Sequence, residues 1–153
     1  MSDDAQGKRD FAGSFPDGEV CHRLLSSDLQ EVRRLQEEID LRLKELKFSE
    51  RDRRGIRLAL EEALVNAIKH GNRLDQSKKV YVCYCVRPER FDIHIADEGA
   101  GFRPEAVPDP TAPENLERPS GRGLVLMRYY MTEVEYNAQG NVVRMSKVRD
   151  RSP

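Results

Sequence analysis

Two runs of alternating side chains, joined by four turn-forming residues, constrain this fold more than any other feature of the sequence. In KVYVCYCVRPERFDIHIAD, Val80, Val82, Tyr84 and Val86 alternate with Tyr81, Cys83 and Cys85. RPER turns the chain, and Phe91, Ile93 and Ile95 resume the alternation. A period of two marks a strand, because successive side chains leave a pleated backbone on opposite faces. Two such runs with a short connection predict an antiparallel hairpin. A second hairpin, TEVEYNAQGNVVRMSKV, closes around Gln139-Gly140-Asn141, and EVCHRLL (19–25) supplies a short first strand.

The intervening segments carry a helical period. Leu29, Val32, Leu35, Ile39, Leu43 and Leu46 form one apolar stripe, behind a cap at Ser27 or Asp28. Ile56, Leu60, Leu64 and Ile68 form a four-residue ridge, entered at the capping signal Ser49-Glu50-x-Asp52. Gly55 blurs where that helix begins, and Gly71 is placed to end it in a left-handed cap. GLVLMRYYM reads as a short third helix. The order is strand, helix, helix, hairpin, loop, helix, hairpin. Hairpins segregated from helices predict an α+β fold: a two-layer α/β sandwich, with a mixed, mainly antiparallel sheet and helices on one face.

The 153 residues fit one domain, 16–149, behind a flexible N-terminus at 1–15. Five of the eight prolines, Pro104, Pro108, Pro110, Pro113 and Pro119, fall in one long aperiodic stretch, which predicts a functional loop or a disordered one. A net charge of -1 provides no global field to recruit nucleic acid. No apolar run approaches the roughly 20 residues of a membrane helix. MSDDAQGKRD lacks a signal-peptide pattern, and Cys21, Cys83 and Cys85 make no disulfide framework. A reducing cytoplasm is the expected setting.

Three clusters carry chemistry. In EEALVNAIKHGN (61–72), Glu62, Asn66 and His70 recur every four residues, so they share one side of a helix. By itself such a line is most often a solvated flank. A carboxylate beside a neutral oxygen ligand can also activate a hydroxyl while the amide holds Mg²⁺. In DEGAGF (97–102), Asp97 offers a fixed acceptor to an exocyclic amine, and Gly99 and Gly101 permit close backbone approach. In SGRGLVLM (120–127), Gly121 and Gly123 precede a helix whose free first-turn N–H groups can bind an anion, helped by Arg122. The Walker pattern is absent. A plain Gly-rich turn and a plain helix entry are the ordinary readings of the last two.

Together and in this order, Glu-x-x-x-Asn, Asp-x-Gly-x-Gly and Gly-x-Gly-Leu resemble the three ATP-binding boxes of the Bergerat-fold (GHKL) ATPases. EEALVNAIKHGN, DEGAGF and GRGLVLMRYYMTEVEY look most like the anti-sigma factor serine kinases of bacterial partner-switching systems. The resemblance covers about residues 20–148 and makes 16–149 a histidine kinase-like ATPase domain with a lid at 103–120. It implies ATP and Mg²⁺ as cofactors, Glu62 as general base and Asn66 as Mg²⁺ ligand. It further implies Asp97, Gly99 and Gly101 at the adenine, and Gly121, Arg122, Gly123 and Leu124 at the phosphates. The expected partners are an anti-sigma-factor antagonist, phosphorylated on serine, and a sigma factor; the expected assembly is a homodimer.

Competing readings make other demands. A sensor histidine kinase needs an acceptor His on a helical hairpin, whereas His22 lies ahead of a single helix. Gyrase, mismatch-repair and chaperone relatives need further domains. A weakly or non-catalytic module would sequester its partner, for which the presence of both Glu62 and Asn66 is unnecessary. Cys83, Cys85 and His94 can share a sheet face as metal ligands, with no fourth ligand evident. His70 is equally well a helix-end cation, and Tyr129 and Tyr130 read as packing residues.

Overall fold

A computed structural model of the chain describes residues 20–99 and 119–151. The predicted flexible N-terminus, lid positions 103–118 and Gly101 lie outside the described residues. Strand β1 (Cys21–Ser26) leads to helices α1 (Leu29–Glu45) and α2 (Glu50–Val65), the second running on into a π-helical turn, Asn66–Gly71. Strands β2 (Lys79–Val86) and β3 (Arg90–Ala96), helix α3 (Pro119–Tyr130) and strands β4 (Glu133–Tyr136) and β5 (Val142–Val148) follow.

The five strands make one sheet in the order β1-β2-β3-β5-β4. Each described pairing is antiparallel, in keeping with the expected mainly antiparallel sheet: the hairpins adjoin through β3 and β5, which also run opposite ways. One sheet face carries Val80, Val82, Tyr84, Phe91, Ile93, Ile95, Val143 and Met145 into a single core with the helices. Ile56, Leu60, Leu64 and Ile68 are buried there, as are Val32, Leu35, Ile39 and Leu43 of α1. Each such side chain contributes about 1.5–3 kcal/mol of transfer free energy. Leu29, at the start of the α1 stripe, stays exposed.

Local chemistry sets the element ends. Asp28 caps α1, its carboxylate accepting from Gln30 N–H at 2.9 Å, while the alternative cap, Ser27, donates to Lys78 C=O instead. Ser49 caps α2 by accepting from Asp52 N–H at 3.0 Å. Helix α2 runs through Gly55, where a β-carbon would stand 3.2 Å from the Tyr130 ring, so the glycine seats α3 against α2.

The other sheet face is polar yet buried, with Cys83, Cys85, Asp92, His94 and Ser146 all closed off. Cys83 pairs across strands with His94 and Cys85 with Asp92, so these side chains share that face as expected. Burial pushes the Cys83 thiol up to about 11, which disfavours the thiolate a metal needs. Among the described residues, no group of three or more His, Cys, Asp or Glu side chains is placed to hold a metal ion.

Candidate active site

The site is assembled where α2 gives way to the π-helical turn. Glu62 lies in regular α-helix, and Asn66 opens the wider turn. Only that pair is separated by an α-helical step; from Asn66 to His70 the chain follows the π path, a feature frequent at functional sites. The widened ladder shows in Asn72 N–H, which donates to Ala67 C=O at 2.8 Å.

Gly71 does not form the expected left-handed cap. Arg73 (φ 53°) and Leu74 (φ 60°) carry the left-handed backbone instead. Gly71 is needed for space: a β-carbon on it would collide with the Asp97 carboxylate, and one on Gly99 would collide with the Gly71 carbonyl. The turn after β3 therefore lies directly on the end of the π-helical turn. Asp97 Oδ1 accepts from Gly99 N–H at 2.8 Å, and Asp97 N–H donates to Asn141 C=O at 2.9 Å. Burial raises the Asp97 carboxyl to about 6, against the opposing pull of the Gly99 N–H and Lys78.

Asn72, which carries no motif in the sequence, is fully buried at the centre of this arrangement. Its Nδ2 donates to Lys79 C=O at 3.0 Å and Ser27 Oγ at 3.3 Å, and its Oδ1 accepts from Glu98 N–H at 2.8 Å. One carboxamide thus ties the π-helical turn to the end of β1, the start of β2 and the residue after Asp97. The only available signal was an Asn placed just past the helical pattern.

Helix α3 supplies the opposite wall. It begins at Pro119, so Gly121 and Gly123 lie inside its first two turns rather than ahead of it, and positions 119 and 120 of the predicted lid are helical. A β-carbon on Gly123 would stand 2.8 Å from Glu62 Oε2 and 3.0 Å from Asn66 Nδ2. Both side-chain ends therefore converge on one point of the α3 backbone. Leu124 is buried against the core. The Arg122 side chain lies outside the described residues.

Burial, reinforced by Glu61, raises the Glu62 carboxyl above its ordinary value. Asn66 is buried, and its Nδ2 has no hydrogen-bond partner among the described residues. An unpartnered buried amide end of this kind suits a phosphate–cation pair. Rotating a carboxamide exchanges its two ends, so the unpartnered end can give an N–H to phosphate or an oxygen to Mg²⁺.

A cavity of about 100 Å³ lies behind these groups, lined among others by Asn66, His70, Asp97, Tyr136, Gly140 and Asn141. The fold thus unites Glu62, Asn66, Asp97, Gly99 and Gly123 at one end of the sheet, with exposed His70 on the cavity wall. Tyr136 was not anticipated here; it comes from the hairpin that the sequence located but whose inward positions it left unassigned.

The chain belongs to an ATPase domain class: it matches the histidine kinase-like ATPase domain family over residues 25–147. It is 30% identical over 107 residues to the serine-protein kinase RsbW of Oceanobacillus iheyensis, covering 65% of this chain and 68% of that protein. It is 34% identical over 89 residues to the anti-sigma F factor of Clostridium perfringens, covering 56% of this chain and 63% of that one. The serine/threonine-protein kinase BtrW of Bordetella bronchiseptica is 29% identical over 92 residues, 59% of this chain and 65% of its own. The chain thus spans about two thirds of these relatives. A crystal structure of the RsbU and RsbW domains of a Mycobacterium tuberculosis protein shares the fold, with a TM-score of 0.58 and 15% identity over 86% of this chain and 32% of that one.

Proposed function

We propose that this chain is an ATP-dependent serine-protein kinase and anti-sigma factor of a bacterial partner-switching system, phosphorylating a small anti-sigma-factor antagonist. The observation that carries the reading is the convergence of Glu62 and Asn66 on Gly123 of α3, with Asn66 lining the same cavity as Asp97. Membership of an ATPase domain family and similarity to proteins named as serine kinases and anti-sigma factors support it.

In this reading Asp97 accepts a hydrogen bond from the adenine amine, with Gly99 and Gly101 in the adjoining turn. Backbone N–H groups at the start of α3, around Gly121, Arg122, Gly123 and Leu124, hold the phosphates. Asn66 presents its amide oxygen to Mg²⁺, which when bound neutralises phosphate charge. Glu62 takes the proton of the partner's serine hydroxyl as that oxygen bonds to the γ-phosphorus and the bond to the ADP oxygen breaks. A carboxyl raised by burial is better matched to that proton transfer at neutral pH. Positioning and charge neutralisation provide most of the rate.

The protein works in the cytoplasm as a homodimer, its alternative partner being a sigma factor. Among the described residues no helix is long and apolar enough to cross a membrane.

The experiment is transfer of label from γ-³²P-ATP with Mg²⁺ to a candidate antagonist protein encoded beside this one. Label on a serine of the antagonist supports the reading. Nucleotide binding without label would leave a sequestering module in its place.

A further inference from the structure

Tyr129 and Tyr130 are adjacent in the chain but differ in their surroundings. Tyr130 closes on Gly55, where a β-carbon would stand 3.2 Å from its ring, whereas Tyr129 is 78% exposed. The expected packing role therefore holds for Tyr130 alone. Tyr129 is still held, its ring edge-on to Tyr130 with 4.9 Å between centroids. A cavity of about 650 Å³ lies between these rings, the start of α2 and the end of β5, lined also by Arg51, Arg54 and Val148. It shares no described lining residue with the cavity beside Asp97. Arg51 and Glu62 are about 16 Å apart along α2.

The floor of this cavity is closed by its own hydrogen bonds. The buried Asp52 carboxylate accepts from Asp150 N–H at 3.0 Å and stands 3.9 Å from Lys147 Nζ, which donates to Tyr130 C=O at 3.0 Å. The rim is different. Arg51 is exposed and makes no ion pair among the described residues. It stands in the first turn of α2, where the helix dipole disfavours a cation. Arg54 reaches Glu50 at 3.7 Å with both side chains largely exposed, a pairing worth little in water. Two exposed guanidiniums thus share the cavity with one exposed acidic residue, Asp150, and the field offered to an occupant is positive. Tyrosine and arginine are among the side chains that carry most binding energy at protein interfaces, and a ring already held loses little entropy when covered.

We propose that this cavity docks an acidic segment of a partner protein, with a carboxylate against Arg51 and Arg54 and an adjoining apolar side chain between Tyr129 and Val148. Guanidinium and carboxylate make charge-assisted hydrogen bonds, which fix the direction of the segment, and the exposed Tyr129 ring gives it area to cover. The site goes beyond the kinase reading and stands without it. Because it is separate from the cavity beside Asp97, segment and nucleotide can be held at the same time.

The test is selection from a displayed library of random short peptides on the full chain, with counter-selection on a variant combining Arg51→Ala, Arg54→Ala and Tyr129→Ala. Peptides kept by wild type and lost by the variant should carry Asp or Glu next to Leu, Phe or Tyr. A synthetic copy of the most enriched peptide should bind wild type, by fluorescence anisotropy, at least about tenfold more tightly than it binds Arg51→Ala/Arg54→Ala. Tyr129→Ala alone should weaken it by about tenfold, and added NaCl should weaken it on wild type. All these side chains are exposed, so each variant should melt within about 2 °C of wild type. Amide shift changes should centre on residues 51, 54, 129 and 148, and saturating ADP should change the affinity by less than about twofold. No peptide that separates wild type from the variant, enrichment of neutral or basic sequences, or displacement by ADP would overturn the proposal. A chain that binds the peptide but not ADP would keep the docking site and lose the nucleotide reading.

Discussion

The Asp97 carboxylate rests on the bare α-carbon of Gly71, leaving no room for even one methyl between the strand end and the helix end. Gly71→Ala therefore has to displace the carboxylate or the backbone. Overpacking of this kind costs about 1–3 kcal/mol. The larger consequence falls on function, because Asp97 is the acceptor at the cavity. Urea denaturation should show a loss in that range, and calorimetry should show ADP binding weakened at least tenfold. A Gly71→Ala protein that binds ADP like wild type would mean that the contact is not rigid.

The raised pKa of Asp97 makes a second prediction, about pH. The folded carboxyl titrates near 6 against an ordinary value of 3.8, so the folded state holds this proton more tightly than the unfolded chain. Its stabilising contribution is complete below about pH 4 and is lost as pH rises through 6. His94 opposes it: burial and Arg144 lower its pKa from 6.5 to about 4, so its contribution is present above 6.5 and lost as pH falls through 4. The two overlap, and wild type alone cannot separate them. The difference between Asp97→Asn and wild type without nucleotide can. The variant should gain melting temperature relative to wild type between pH 4 and pH 7.5. After discounting for partial exposure, about 1 kcal/mol is expected, or roughly 2–4 °C for a chain of this size. A flat difference across that range would contradict the burial assigned to Asp97.

How much of this was legible in the sequence depended on whether a feature is periodic. The ridge from Ile56 to Ile68 repeats and named its buried face, and the alternation of Val80 to Ile95 repeats and sorted its residues onto the two faces of the sheet. The positions of Glu62, Asn66 and Asp97 were legible as spacing and company. The π-helical turn was not, because Leu64 and Ile68 point inward whether the ladder steps by four or by five. The start of α3 was hidden because Pro119, Ser120 and Gly121 are all common in loops, although proline suits the first turn of a helix. Asn72, through its side-chain hydrogen bonds to Ser27, Lys79 and Glu98, and Asn141, through the hydrogen bond of its C=O to Asp97, act across elements, which leaves no periodic trace. The buried polar face carrying Asp92, His94 and Ser146 was unreadable for a related reason. Alternation shows that two faces differ, but it does not show whether the polar one meets water.

Asn72 gives a prediction that separates scaffold from chemistry. Asn72→Ala removes three hydrogen bonds and leaves Glu98 N–H and Lys79 C=O without that partner. An unmet buried group costs about 1–3 kcal/mol, so the variant should lose about 2–4 kcal/mol in urea denaturation. Because Glu98 follows Asp97 directly, ADP affinity should fall as well. Saturating ADP should recover part of the lost melting temperature, since a ligand that binds only the folded state stabilises it. A stability loss below 1 kcal/mol would show that water or the neighbouring backbone replaces the amide without penalty.

Glu62→Gln tests the chemistry most directly, because it keeps the shape and removes the base. Glu62 Oε2 and Asn66 Nδ2 meet the same point of α3, so a neutral amide at 62 still fits. ADP affinity should stay within about threefold of wild type, as Asp97 and the α3 backbone are untouched. Phosphoryl transfer to the antagonist should fall by about 10²–10⁴, the usual contribution of a positioned base. Single-turnover transfer at saturating ATP isolates that step from product release. The substitution also removes a charge that burial and the neighbouring Glu61 both disfavour, so the apo variant should be no less stable than wild type at pH 7. Transfer at the wild-type rate would mean that another group, or water, takes the serine proton, and that Glu62 serves only to shape the ground between Asn66 and Gly123.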